Sequence, residues 1–334
     1  MTSTTLHIDY VATSDPKRHT PAKGHRLAVI SYGGAEPDIC DGLSIRVPLA
    51  IAAGTDYAEV WSSSTPIERY RIGRLDIAAT GDAALVSLIV PNTGTDLEQA
   101  GHDAYAELLD YLQRQNYSHL IRTWNYFPAI NARHLGEERY QRFCVGRYRA
   151  FSERFHDFLP LLPAATAIGS HDGDITLFVL ASKTPGMHIE NPRQVSAYAY
   201  PRQYGRVSPS FARATVKSWG EELHLYVSGT ASIVGHESRH IGDVQAQLSE
   251  IGTNLDALAN TCRAHSLRIP TTPALRGMDF IKVYIRDPAH ADEIRGVIEN
   301  HYQRSAPTLY LIGDVCREEL LVEVEGMWRV STRD

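Results

Sequence analysis

One order of helix and strand patterns is written twice along this chain. After Gly101, HDAYAELLDYLQRQNY has helical spacing and HLIRTWNYF reads as a strand. EERYQRFCVGRYRAFSERF follows as a long amphipathic helix. Beyond Leu162-Pro163, AATAIGS and DITLFVLAS read as a short strand, a turn and a longer strand. The order then recurs: a helix over 242–262, a strand over 278–287, a helix over 290–302, and strands over 308–314 and 320–326. Even AIGS at 167–170 has its counterpart in LIGD at 311–314. Each half also opens on strands, RYRIGRLDI and AALVSLIV in the first, FARATVKSWG and LHLYVSG in the second. A supersecondary pattern repeated at this scale buries its apolar faces by the same plan each time. The expected class is therefore α+β, with two ββαβαββ-like units, each laying two helices on one face of a mixed sheet. Pro and Gly in SKTPGMHIENP mark the break, giving units over 1–185 and 186–334; the first ~40 residues carry no assignment in this scheme.

The copies differ at one telling place. In LLVEVEG, Leu320, Val322 and Val324 alternate with Leu321, Glu323 and Glu325, whereas DITLFVLAS in the first unit has Leu and Val at the matching positions. The fold does not require carboxylates there, so they point to one site per chain, built on the last strand of the second unit.

Bulk properties exclude several functions. The 334 residues carry 33 Lys+Arg against 39 Asp+Glu, a net charge of −6, which gains little from releasing counterions and argues against nucleic-acid binding. No apolar run is long enough to span a membrane, and MTSTTLHIDYVATSDPKRH lacks the basic start and apolar core of a secretory signal. Cys40, Cys144, Cys262 and Cys316 form no CxxC pair, which fits free thiols in a reducing cytoplasm.

LYVSGTASIVG (225–235), GDVQAQLSEIGTNLDAL (242–258) and LLVEVEG make the second unit resemble the RidA/YjgF family, small proteins with ligand sites between subunits. RTWNYFPAIN (122–131), ERYQRFCVGRYRAF (138–151), SAYAYPRQYGRVSPSFARA (196–214) and GDVCREELLVEVEG (313–326) make the whole chain similar to a narrower family built on that fold, the chorismatases. The resemblance implies conversion of the small molecule chorismate with release of pyruvate, without metal or cofactor. It implies Glu323 as the catalytic acid and Tyr140, Arg147, Tyr200 and Arg213 as substrate contacts. It also places Cys316 where cysteine accompanies hydroxybenzoate formation, as 3-hydroxybenzoate with or without the 4-isomer, and alanine accompanies hydrolysis to a dihydroxycyclohexadiene carboxylate. Two such units in one chain fit a monomer or a small homo-oligomer.

The chemistry suits these residues. Chorismate is a dianion with an enol ether, and protonating its methylene carbon makes the ether carbon electrophilic. A carboxyl group with an ordinary pKa of ~4.3 must then keep its proton near neutrality, which burial or a neighbouring carboxylate achieves. Glu323 and Glu325, on one face of a strand, are placed to share one proton. Arg147 follows Tyr140 by seven residues, on one helical stripe with Phe143, Cys144 and Phe151. An arginine within an apolar stripe needs an anion, and a planar guanidinium grips a carboxylate with paired hydrogen bonds. Arg213, between Ala212 and Ala214 on an expected strand, offers a second grip, and Tyr200 a phenol.

Three other readings compete. A RidA-type imine deaminase would not need two carboxylate clamps. A non-catalytic binding protein would keep the arginines but not require an acid. A zinc hydrolase is suggested by HESRH (236–240), an HExxH match, but Gly235 and Gly242 flank it and the helical pattern starts only at Asp243, so the motif is expected in a loop.

Overall fold

The structure, a computed structural model, describes residues 4–15, 24–33, 42–54, 56–92, 94, 96–220 and 222–331. Cys40 lies outside the described residues; Cys144, Cys262 and Cys316 are free thiols.

The first sheet is formed by β1 (Leu6–Ala12), β2 (His25–Ser31), β3 (Leu43–Arg46) and β5 (Tyr57–Ser63), in the order β1-β5-β2-β3. Between them, β4 (Ala50–Ala53) leaves to join the edge of the third sheet. The second sheet takes β6 (Glu68–Ile72), β7 (Leu75–Ala79), β8 (Ala83–Val90) and β9 (His119–Pro128). After a ribbon of β10 (Arg133–His134) and β11 (Glu137–Glu138) it adds β12 (Ala164–Ser170) and β13 (Ile175–Ser182). Its order is β12-β9-β13-β8-β7-β6. The third sheet takes β14 (Met187–Ile189), β15 (Ala214–Trp219) and β16 (Glu222–Ala231). A short hairpin, β17 (Ile233–Val234) and β18 (Glu237–Ser238), separates these from β19 (Phe280–Ile285), β20 (Thr308–Ile312) and β21 (Val322–Ser331). Here the order is β14-β15-β16-β21-β19-β20-β4.

The second and third sheets repeat one topology. In each, one parallel pair (β9 with β12, β19 with β20) is followed by antiparallel neighbours. Helices α1 (Leu97–Arg114) and α2 (Arg139–Ser152) cover the outer face of the second sheet, where Leu108, Leu112, Phe143 and Phe151 meet Val86, Leu88 and Val179. Helix α3 (Val244–Ala264) and the shorter α4 (Ala274–Gly277) and α5 (Ala291–Gly296) cover the third, where Leu248, Ile251 and Leu255 meet Val283, Val322 and Val324. The α+β class and the mixed sheets with helices on one face are as the sequence pattern predicts. The expected helix over 290–302 is broken into a 3-10 turn, α5 and a π-helical segment over Val297–His301.

The first sheet is the element that the repeat did not announce. Its β3-β2-β5-β1 order matches β12-β9-β13-β8, again with one parallel pair, β2 with β3. The inner faces of all three sheets meet in one core: Ile30, Tyr32 and Trp61 from the first, Trp124, Tyr126 and Phe178 from the second, Tyr226, Tyr284 and Leu311 from the third.

Register corrects one detail of the sequence reading. Across from Tyr284 and Lys282, β21 carries Glu323 and Glu325. Across from Tyr126 and Trp124, β13 carries Thr176 and Phe178, not the Leu and Val expected.

Candidate active site

The second and third sheets meet where edge strand β12 runs beside β16. The backbone N–H groups of Ala164 and Ala165 donate to the hydroxyls of Thr215 and Ser228, both at 2.9 Å. Gly169 and Asp314, from the twin AIGS and LIGD segments, exchange a pair of 2.8 Å backbone hydrogen bonds. The edge is thus closed by side chains and by two isolated bridges, Ala164 with Ala212 and Gly169 with Asp314, not by a continuous ladder. Between these closures lies a cavity of about 260 Å³.

All six residues singled out in the sequence line this cavity: Tyr140 and Arg147 from α2, Tyr200 from the segment after β14, Arg213 just ahead of β15, Cys316 from the turn after β20, and Glu323 from β21. Arg213 therefore precedes the strand on which the sequence pattern put it.

Glu323 is reached by a distortion of β16. The register between β16 and β21 slips between Val227 and Thr230, a bulge that contains Ser228 and Gly229. A Cβ on Gly229 would sit 1.9 Å from Glu323 Oε1, so only glycine lets the carboxyl lie against this backbone. Glu323 is 4% exposed, and no described residue gives its carboxyl a hydrogen bond in the structure. Burial, and then the charge of Glu325, push its pKa up to about 8, against the opposing pull of Arg122 and Arg213. The group keeps its proton at neutrality.

Glu325, two residues on, has the opposite fate. Burial favours its neutral form, yet Lys282 and Arg122 override it and hold the pKa at about 2. Arg122 Nη2 donates to its Oε2 at 2.8 Å, Trp124 Nε1 donates to Oε1 at 3.0 Å, the Thr166 hydroxyl donates to Oε2, and Lys282 Nζ stands 2.8 Å from Oε1. With its lone pairs so engaged, Glu325 is a fixed anion. The shared proton expected from the sequence is replaced by a division of labour: one carboxyl neutral, one charged.

Of the three arginines on the wall, Arg147, Arg213 and Arg317, the guanidinium groups of the first two make no ion pair with a carboxylate among the described residues; Arg213 meets Glu190 only through its backbone N–H, at 3.3 Å. Arg147 is 2% exposed, its guanidinium over the rings of Phe143 and Tyr105 at 5.4 and 5.9 Å, and its Nε has no partner. Arg213 donates through Nη2 to Val195 O and to Tyr200 Oη, both at 2.8 Å, and its Nε is likewise unpartnered. Buried guanidinium N–H groups left open toward a cavity are anion receptors in waiting. Burial pushes the Cys316 thiol up to about 12, with the Glu323 charge adding to it, so it is an uncharged thiol at neutral pH.

Several residues of this constellation escaped the sequence reading: Arg122, Thr166 and Lys282, which hold Glu325, and Arg317, which lines the cavity and stacks 3.9 Å from the ring centre of Tyr204. The signal for two of them was present. Lys282 interrupts the otherwise apolar and aromatic FIKVYI, Arg122 is the one Lys, Arg, Asp or Glu in HLIRTWNYFP, and a charge in such a setting demands a buried partner. HESRH runs from the turn of the β17–β18 hairpin through β18 into a bend, with His240 at a φ of 57°. His236 faces Tyr204 and His240 faces Glu250, both at 3.2 Å, so the two histidines do not share a helical face.

Residues 59–181 match the family model described as "Chorismatase FkbO/Hyg5-like, N-terminal". A 3-hydroxybenzoate synthase of Streptomyces hygroscopicus is 34% identical over 316 residues, 92% of either chain. This chain belongs to the chorismatase family. A chorismatase of that organism is 36% identical over 310 residues, 90% of this chain and 88% of the relative. The crystal structure of a chorismatase superposes with a TM-score of 0.86 at 31% identity, over 98% of this chain and 99% of the other. The chain is thus a chorismatase-family enzyme, and no helix among its described residues is long and apolar enough to cross a membrane.

Proposed function

We propose that this chorismatase-family enzyme converts chorismate to pyruvate and 3-hydroxybenzoate, with Glu323 as the acid. The observation that carries the reading is a buried carboxyl, its pKa raised to about 8 by burial, in a cavity that also presents Arg147 and Arg213, whose guanidinium groups make no ion pair with a carboxylate among the described residues. Such a cavity suits a dianion that must be protonated on carbon. Arg147 and Arg213 take the two carboxylates, Tyr140 and Tyr200 line the ring, and Glu323 gives its proton to the enolpyruvyl methylene carbon. The oxocarbenium ion that results is captured by the ring's own hydroxyl. Loss of pyruvate and of one ring proton, returned to Glu323, leaves the aromatic product, and the atoms of chorismate are fully accounted for by pyruvate plus hydroxybenzoate.

Capture by water instead would give the dihydroxycyclohexadiene carboxylate. Cys316, an uncharged thiol close enough for the Glu323 charge to raise its pKa, takes up volume that water would otherwise use. The setting proposed is the cytoplasm, in keeping with free thiols at Cys144, Cys262 and Cys316.

Incubation with chorismate, with pyruvate assayed and ring products separated by chromatography, tests the reading directly. Stoichiometric pyruvate and 3-hydroxybenzoate are expected, and the same separation reports any 4-hydroxybenzoate. No pyruvate from folded enzyme would end the proposal. Cys316→Ala is expected to shift product toward the diene-diol; an unchanged ratio would remove Cys316 from product control.

A further inference from the structure

The charged pair behind Glu325 plays no part in the reading above. Lys282 Nζ lies 2.7 Å from Glu59 Oε1 and 2.8 Å from Glu325 Oε1, and all three side chains are at most 4% exposed. Glu59 comes from β5 of the first sheet, Lys282 and Glu325 from the third, and Arg122 from the second, so the network crosses all three. Stability alone gives little reason for it. Buried ion pairs are commonly matched or bettered by apolar residues of similar volume.

Register adds a second observation. Glu59 pairs with Ile30 on β2 as Glu325 pairs with Lys282 on β19 and Phe178 with Trp124 on β9. Glu59 is therefore the first sheet's counterpart of Glu325, and Phe178 shows that the position is satisfied by an apolar residue. Charge balance is the third. Glu59 and Glu325 are matched by Lys282 and Arg122, and the groups facing them from neighbouring elements are uncharged at neutrality: Tyr10 from β1, Tyr32 from β2, Tyr126 from β9 and Tyr284 from β19. Tyr32 and Trp61 donate hydrogen bonds to Glu59. On the far side, Glu323 faces Arg122, Arg213, Glu325 and Cys316. Without Glu59, two cations would confront one carboxylate beside Glu323, and the surplus would favour ionising it.

We propose that Glu59, from the first sheet, is a positioning residue of the active site: by occupying Lys282 it keeps the cluster around Glu325 neutral and so preserves the proton on Glu323. This rests on the reading of Glu323 as the acid.

The test compares the alkaline limb of kcat/KM in Glu59→Gln, Lys282→Met and the double variant. Above that limb the acid has lost its proton. Glu59→Gln leaves positive surplus and should move the limb down by about one pH unit, a tenfold loss at alkaline pH. Lys282→Met leaves negative surplus and should move it up, and the double variant should return it to the native position. The infrared C=O band absent from Glu323→Gln should titrate with the same shifts, independent of turnover. A purely structural role would not produce opposite signs that cancel. A Glu59→Gln limb at or above the native one, or a Lys282→Met limb at or below it, overturns the proposal; if Glu59→Gln does not fold, Lys282→Met against the double variant decides by the same criterion. Full activity in Glu323→Gln would instead overturn the assignment of the acid, so the two failures are distinct.

Discussion

At the scale of single residues, Glu323 carries the heaviest demand. Glu323→Gln keeps shape and removes the proton donor. Pyruvate release is expected to fall by at least about 100-fold, while chorismate still binds by calorimetry; undiminished turnover would refute the role. The same substitution predicts a stability change of defined sign. With a folded pKa of about 8, raised from 4.5, unfolding between those values lets the group ionise, so native stability declines as pH rises from 4.5 toward 8 and levels off beyond. Glutamine has nothing to ionise. The variant should therefore match the native enzyme near pH 4.5 and exceed it by about 3–5 kcal/mol above pH 8, measured by urea unfolding. Arg147→Ala should weaken chorismate binding by about 2 kcal/mol or more, and unchanged affinity would take Arg147 out of the site. Glu323 and Arg147 were legible in sequence because each breaks a pattern: a carboxylate absent from the sister strand, a cation inside an apolar stripe. What holds them was not. Arg122 reaches Glu325 across 203 positions of chain, and no local pattern encodes that distance.

Among elements, the bulge in β16 decides where the acid points. Gly229 within it abuts Glu323, and its N–H donates to Thr166 Oγ1 at 3.1 Å, tying the bulge to the network around Glu325. Gly229→Ala should swing the carboxyl away, lowering kcat by about 10-fold or more for a misplacement near 1 Å while leaving substrate affinity nearly unchanged. A variant with native kcat would show that the bulge is not needed for aim. LYVSGT marked a glycine in sequence but not a bulge, since a slipped register becomes visible only when the partner strand is known. The repeat itself was legible because helical periodicity and strand alternation are local. The first sheet was not, because among the described residues no helix of the repeated kind separates its short strands.

For the whole molecule, three inner faces sharing one core imply that no sheet folds usefully alone. A chain lacking residues 1–65 would expose the faces that Ile30, Tyr32 and Trp61 cover and would strand Lys282 without Glu59. It should fail to give a cooperative thermal transition, whereas the intact chain should unfold in one; a truncated chain with a sharp, native-like melt would contradict this. The fused arrangement has a further consequence. A ring of identical subunits must repeat every substitution at each of its interfaces. Here the equivalent places on β5, β13 and β21 hold Glu59, Phe178 and Glu325, an anion, a ring and an anion, with a single lysine between the two carboxylates. Covalent linkage frees each junction to drift alone, so that one becomes a reaction chamber while another is sealed as its electrical ground.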